Sequence, residues 1–128
     1  MGTVSAVVRN SYEWAPLRVV PRVDRGECVN VGVLLYCRHE VHLTIRLALD
    51  PARLRALAPD LDVDEVAAAV QAWERTVAGE GPAGVLSVGE RFRWLTAPRS
   101  TVVQAGPVHT GLTDDPEAEV GRLLARLV

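Results

Sequence analysis

Lysine is absent from this sequence, and no basic excess replaces it. All 14 basic residues are arginine, against 16 acidic residues, and the formal net charge is −2. General nucleic-acid binding is not indicated, because it usually requires a basic excess. GC-rich codon usage accounts for the arginines together with the abundance of Ala, Val and Leu. A need for planar guanidinium groups in anion binding can therefore apply only to individual arginines.

Cysteine and long apolar runs are also scarce. The two cysteines, Cys28 and Cys37, have an odd spacing that puts them on opposite faces if they share a strand, so we expect no disulfide. They are typical of small core residues in a reducing compartment. No apolar run has the length of a membrane span, and residues 1–11 lack a basic head followed by an apolar core. We therefore expect a cytoplasmic protein without membrane association.

The composition is that of a globular protein. A chain of 128 residues, of which 48% are hydrophobic, is long enough to fold as one domain without a metal or a disulfide. Residues 1–11 carry no clear period, and we predict a flexible arm there. Residues 12–128 are predicted to form a single α+β domain.

Hydrophobic periodicity predicts the order β-β-β-α-α-α-β-α. Alternating or fully apolar runs predict four strands. The first is an edge strand that contains two prolines (residues 16–23), and the second is a central strand (residues 28–37). The third covers residues 42–49, and the fourth covers residues 100–109 and is broken at Gly106-Pro107. Four capping signals predict helix starts, at Asp50-Pro51, Asp62, Ser87 and Asp115-Pro116. The expected architecture is an antiparallel sheet of about four strands with helices packed on one face.

A charged triple, Arg25-Gly26-Glu27, directly precedes a predicted strand that is one of the most apolar runs in the chain. Asn30 and Gly32 are predicted to share one face of that strand, where a glycine permits close approach and an amide can hydrogen-bond. The approaching group could be a ligand or a neighbouring helix. The alternative is a turn held by an Arg–Glu ion pair, with Asn30 satisfying backbone groups.

A second polar group follows the third long helix. Arg99, Ser100 and Thr101 join that helix to a strand, and His109 and Thr110 follow the strand break. An arginine, two hydroxyls and a histidine are suited to an anion pocket, although the alternative is a solvated loop with a capping hydroxyl. No phosphate-loop glycine spacing is present. We predict that Arg25, Arg99 and His109 converge within side-chain reach.

Two weaker motifs do not support a metal or nucleic-acid site. Cys37, His39 and His42 lack the spacing of a zinc finger and an obvious fourth ligand, so no metal and no cofactor are expected. Basic and aromatic residues alternate in "ERFRWL" (residues 90–95), but Phe92 and Leu95 fit a core better than a nucleic-acid surface. An enzyme would have to use Glu27 or His109 as the base, with Arg25 or Arg99 stabilising an anion.

Three stretches, "LRVVPRVDRGECVNVGVLLYC", "RFRWLTAPRSTVVQAGPVHTGL" and "DDPEAEVGRLLARLV", closely resemble a bacterial family of domains of unknown function. The resemblance covers residues 12–128. It implies no established activity, but proximity of the gene to a HipA-like serine/threonine kinase. Cys28 departs from the family, where an aromatic is expected. The polar positions of the family fall on Arg22, Arg25, Glu27, Asn30, Arg93, Arg99, Ser100 and His109.

Two functions are consistent with these observations. The first is an accessory or adaptor protein that binds a partner, such as the HipA-like kinase, through the polar site and an exposed sheet edge. The alternative is a small-anion or nucleotide-binding protein, including a weak phosphoryl-transfer or hydrolytic enzyme that uses the Arg/Glu/Asn/His set. A purely structural or oligomeric module is a third reading, and the sequence leaves open whether any reaction is catalysed.

Overall fold

The computed structural model describes residues 8–128, which form an antiparallel sheet flanked by helices. The strands are β1 (Asn10–Val19), β2 (Val29–Cys37), β3 (His42–Leu47), β4 (Val103–Ala105) and β5 (His109–Thr113). The helices are α1 (Pro51–Leu57), α2 (Val63–Val77), α3 (Val88–Thr96) and α4 (Pro116–Leu127), with a short 3-10 turn at Gly81–Val85. The predicted α+β class is confirmed. The strand broken at Gly106-Pro107 forms two strands, so the described sheet has five strands where about four were predicted.

The helices begin where the capping residues predict. Asp50, Asp62 and Asp115 each accept hydrogen bonds from backbone N–H groups of the following turn. Ser87 and Glu90 form a complete capping box at the start of α3. These caps satisfy backbone donors that have no partner within the helix, so they fix the first residue of each helix locally.

The strand order is β3-β2-β1-β4, and β5 pairs with the first half of β1. The prediction that the proline-containing strand lies at an edge is therefore wrong, because β1 is central. Pro16 is tolerated because of where it sits. β5 pairs with β1 up to Trp14 and β4 pairs from Leu17, so Pro16 lies opposite the gap between them. There its carbonyl accepts from Gly106 N–H at 2.7 Å.

Helices cover both faces of the sheet, not one face as predicted. Helices α1, α2 and α3 contribute Leu54, Val70 and Phe92 to a core on one face. On the other face, Val120 and Leu123 of α4 pack against apolar side chains of β1 and β2. The physical reason is that β2 is apolar on both faces, so both need cover.

A β-bulge in β2 changes the predicted side-chain pattern. Leu17 pairs with Gly32 and Arg18 pairs with Asn30, which leaves Val31 as the extra residue. Asn30 therefore faces α4 and donates to the carbonyl of Leu127 at 3.1 Å. The prediction that Asn30 and Gly32 share a face is wrong, because a bulge shifts the alternation by one residue.

The chain termini and the cysteines also bear on the predictions. Residues 1–7 of the predicted arm lie outside the described residues. Strand β1 begins at Asn10, two residues before the predicted start of the domain. The domain boundaries stay a prediction. Cys37 is buried as predicted, whereas Cys28 is exposed because β2 begins after it. Within the described chain, no helix combines the length and apolar character that crossing a membrane requires.

Candidate functional site

The structure does not bring Arg25, Arg99 and His109 together. Arg25 lies in the loop between β1 and β2, beside the connection from α1 to α2. Arg99 lies against α2 and α3 on one face of the sheet. His109 lies on the opposite face, where its ring stacks on Trp14 at 4.4 Å between centroids. The predicted convergence is therefore wrong.

The β1–β2 loop holds its own charges in pairs. Arg22 bonds to Asp24 at 2.9 Å, and Arg25 bonds to Glu27 across Gly26, whose φ of 71° is left-handed. A cavity of about 560 Å³ next to this loop is lined by these two arginines and by four carboxylates, those of Glu27, Asp60, Asp62 and Glu65. Since both guanidinium groups are already paired, this surface disfavours an added anion.

Arg99 is held between two tryptophans. Its guanidinium carbon lies 5.0 Å from the ring centroid of Trp73 and 5.0 Å from that of Trp94, and it also donates to the Trp94 carbonyl. Ser100 is exposed in the following loop. The arginine therefore fixes the end of α3 by cation–π contact, and its charge is shared with two aromatic faces.

The possible zinc ligands are used in other ways. The thiol of Cys37 is buried and lies 3.7 Å from the Ser11 carbonyl. His42 lies 2.7 Å from the carboxylate of Glu117, which also pairs with Arg46. Residues 8–128 contain no group of three or more His, Cys, Asp or Glu side chains placed to hold a metal ion.

A groove of about 810 Å³ lies between α3 and the sheet and is called here the α3 groove. Its floor is the sheet, where Glu13 of β1 pairs in register with Tyr36 of β2. Arg93 and Trp94 of α3 form one wall, and Thr110 of β5 forms part of the rim. Of the eight predicted site residues, only Arg93 lines it.

A two-pronged ion pair crosses the α3 groove. Arg93 donates to both carboxylate oxygens of Glu13, at 2.8 and 2.7 Å. The hydrogen bonds that Arg93 donates to Glu13 raise the pKa of Arg93, so the arginine stays charged. Glu13 is only about one quarter exposed, and the fork geometry fixes both side chains. The pair therefore joins α3 to the first strand of the sheet.

Two aromatic side chains define the apolar part of the α3 groove. Trp94 is 53% exposed, which is high for a residue of this size. Tyr36 is held against Phe92 with ring centroids 5.4 Å apart, and its hydroxyl approaches Gly89 so closely that a Cβ there would lie 2.7 Å away. Gly89 therefore admits the tyrosine, which presents a fixed aromatic surface beside the exposed tryptophan.

The polar groups of the α3 groove are mostly committed to structure. The Ser87 hydroxyl accepts from Glu90 N–H, and the Glu90 carboxylate accepts from Ser87 N–H, which lowers the pKa of Glu90. Glu13 is paired with Arg93. Arg38 forms no ion pair with any described residue. This arrangement suits recognition by aromatic and arginine contacts better than the making or breaking of a bond.

Sequence reasoning missed most of the α3 groove. The first predicted strand begins at residue 16, so Glu13 falls outside it, whereas β1 begins at Asn10. Arg38 is a single polar residue directly after β2 and carries no motif, whereas Thr110 belongs to the motif around His109 that the sequence suggested as part of an anion pocket. One signal was available in "ERFRWL": with Phe92 and Leu95 buried, Arg93 and Trp94 must face away from the core.

Comparison with known proteins identifies a matching family. Residues 14–128 match the model of a family described as "Protein of unknown function (DUF3037)". Searches of curated proteins and of solved structures found no match. Because the family model covers nearly the whole chain, this protein belongs to the DUF3037 family.

Proposed function

We propose that the chain is an accessory protein that binds a partner protein through the α3 groove. The observation that carries the proposal is the exposed Trp94 beside Arg93 and Tyr36 in one concave surface. Tryptophan, tyrosine and arginine are the residues that contribute most of the binding free energy in protein interfaces. The resemblance stated above indicates a HipA-like serine/threonine kinase as the partner to test first.

The groove is also prepared for binding before a partner arrives. Arg93 is fixed by its two bonds to Glu13, and Tyr36 by its packing against Phe92 and Gly89. Trp94 is supported from behind by Arg99. Side chains that are already ordered lose little conformational entropy on binding, so more of the contact free energy appears as affinity.

The test is a binding measurement with a purified HipA-like kinase, the partner that the resemblance implies. Biolayer interferometry would compare wild type with Trp94→Ala, and with Val23→Ala as a matched loss of exposed apolar surface outside the groove. We expect Trp94→Ala to weaken binding by roughly tenfold or more, as for a hot-spot residue. Val23→Ala should bind like wild type, and thermal melting would show that both variants are folded.

A third variant locates the site. Arg25→Ala removes one positive charge, and its pairing with Glu27, from the loop between β1 and β2 and leaves the α3 groove intact. If Arg25→Ala abolished binding and Trp94→Ala did not, the partner would bind the loop, and the assignment to the groove would be wrong. If the kinase bound neither wild type nor any variant, this choice of partner would be refuted.

The alternative, a small-anion or nucleotide-binding protein, has weaker support. It would use Arg22 and Arg25, whose guanidinium groups are paired with Asp24 and Glu27. A thermal-shift screen with phosphates and nucleotides tests it, because a ligand that binds the native state raises the melting temperature. A rise with any of them that Arg25→Ala abolishes would favour this alternative over the accessory role.

A further inference from the structure

Strand β5 is an open edge of the sheet. It pairs with β1 on one side, and no described strand lies on its other side. Its sequence, His-Thr-Gly-Leu-Thr, contains no lysine, carboxylate or proline, and Leu112 is 64% exposed. Proteins that stay monomeric usually block such an edge with charge, proline or a bulge.

The opposite edge of the sheet is blocked in this way. Arg46 of β3 and His42 at its start both pair with Glu117 of α4. These contacts place charged side chains along β3 and hold the helix over it. The two edges therefore differ in the property that decides whether another strand can add.

The hydrogen-bonding pattern shows which groups of β5 are free. The Pro16 carbonyl bonds toward β4, so alternation along β1 directs the backbone groups of Trp14 and Tyr12 toward β5. Their partners on β5, His109 and Gly111, therefore direct their backbone N–H and C=O groups toward β1. Thr110 and Leu112 must then direct N–H and C=O outward, where no loop or helix of the described chain bonds to them.

These two free residues lie symmetrically about Gly111. An antiparallel second copy of β5, related by a two-fold axis at Gly111, places Thr110 of each copy opposite Leu112 of the other. Both pairs are then hydrogen-bonded pairs, in which the two residues exchange N–H···O bonds in both directions. The edge is thus complementary to itself without any change of register.

The charges flanking β5 favour the same arrangement. His109 is exposed at one end of the strand, and Asp114 and Asp115 follow the other end. The two-fold pairing brings the acidic end of each copy next to the His109 end of the other. The imidazole ring of a histidine can donate an N–H to a carboxylate, whereas a parallel arrangement would put the two acidic ends together.

We propose that β5 is a self-association surface, through which two copies of this chain join edge to edge into one continuous sheet. The inference is independent of the proposed function. Thr110 lies on the rim of the α3 groove, and Leu112 follows it on the same face of the strand. Leu112 of the second copy therefore extends the rim next to Thr110. A short strand buries less than a standard interface, so the dimer is expected to be weak, with a micromolar Kd.

The test is sedimentation velocity over a range of concentrations from low micromolar to submillimolar. Wild type should change from monomer to dimer. Leu112→Pro removes an outward N–H that β1 does not use, and Leu112→Lys adds a charge to the edge, so both should stay monomeric. Val41→Lys makes the same kind of change at an exposed apolar residue of the turn between β2 and β3 and should dimerise like wild type. Trp94→Ala should also dimerise, which separates this result from the test of the groove.

Amide hydrogen exchange gives a readout for individual residues. The Thr110 and Leu112 amides should become protected as concentration rises, whereas the Gly111 amide should be protected throughout. A wild type that is monomeric at every concentration overturns the proposal, as does a dimer that both Leu112 variants leave unchanged. Protection of Thr110 and Leu112 that appears only when the kinase is added would assign the edge to that partner and equally overturn it.

Discussion

Gly32 in β2 offers the sharpest test of how the sheet is packed, because one added methyl group would clash with the neighbouring strand. A Cβ at this position would lie 2.6 Å from the carbonyl oxygen of Arg46 and 2.7 Å from Cδ2 of Leu47. The leucine side chain can rotate away. The carbonyl belongs to the backbone of β3, which pairs with β2 from Gly32 to Cys37, so it can move only if part of that ladder is displaced.

The expected magnitude follows from two opposing effects. Overpacking of this kind costs about 1–3 kcal/mol. Replacing glycine by alanine also stabilises the native state by about 0.5–1 kcal/mol, because the unfolded chain has less conformational freedom to lose on folding. Taken at the middle of both ranges, the net loss for Gly32→Ala is therefore about 1.3 kcal/mol. With roughly 2.1 cal/mol/K of unfolding entropy per residue over 128 residues, the melting temperature should fall by about 5 °C.

Urea unfolding followed by circular dichroism would measure this free energy, with two further glycines as controls. Gly121 lies in α4 with no atom within 4 Å of an added Cβ, so Gly121→Ala should stabilise by about 0.5–1 kcal/mol through helix propensity. Gly26 is equally open but has φ of 71°, so Gly26→Ala should destabilise by about 1 kcal/mol through backbone strain alone. A Gly32→Ala variant as stable as wild type would refute the packing argument.

Two further predictions concern charge and backbone strain. Arg46 and His42 lower the pKa of the Glu117 carboxyl in the native state. The stabilisation from this pairing is therefore complete above the ordinary carboxyl pKa of the unfolded chain, and it is lost as pH falls through the lowered pKa of the native state. Glu117 is about half exposed, so Glu117→Gln should cost only about 0.5 kcal/mol at neutral pH and nothing in strong acid; a urea-unfolding difference that grew in acid would contradict this. Val41 is exposed and has a φ of 50°, a strained backbone conformation for valine. Val41→Gly should stabilise the native state by about 0.5–1 kcal/mol, because the strain that is relieved exceeds the extra conformational entropy that glycine loses on folding. Val41→Ala, which keeps a Cβ, should melt close to wild type, and a Val41→Gly variant that melts lower would be inconsistent with strain at this turn.

The candidate site was predictable only where its contacts are local. The Arg25–Glu27 pair spans two residues, and the alternative interpretation of that motif, a turn held by an ion pair, matches the observed contact. The convergence of Arg99 and His109 failed although only ten positions separate them. The strand break between them and the pleat of β5 direct His109 toward Trp14, on the face opposite Arg99. No local pattern encodes which face of a sheet a loop returns to.

The α3 groove was not predicted because it depends on a contact between residues far apart in the sequence. Arg93 was singled out in the sequence, but its partner Glu13 lies eighty positions earlier. Helix α3 and strand β1 meet because Phe92 and the apolar side chains of the sheet share one core. The ion pair follows from that packing, so it could not be predicted without it.

What the sequence determined by itself was the α+β class, the starts of the helices and the interior position of β2. An aspartate or serine cap acts on N–H groups within three residues, and a strand apolar on both faces must be covered on both, so neither depends on distant partners. The tertiary structure decided the central position of β1, the bulge at Val31, the face taken by α4 and the open edge at β5. These depend on which distant apolar surfaces pack together, because the free energy of burial is summed over the whole core and not over neighbours in the chain.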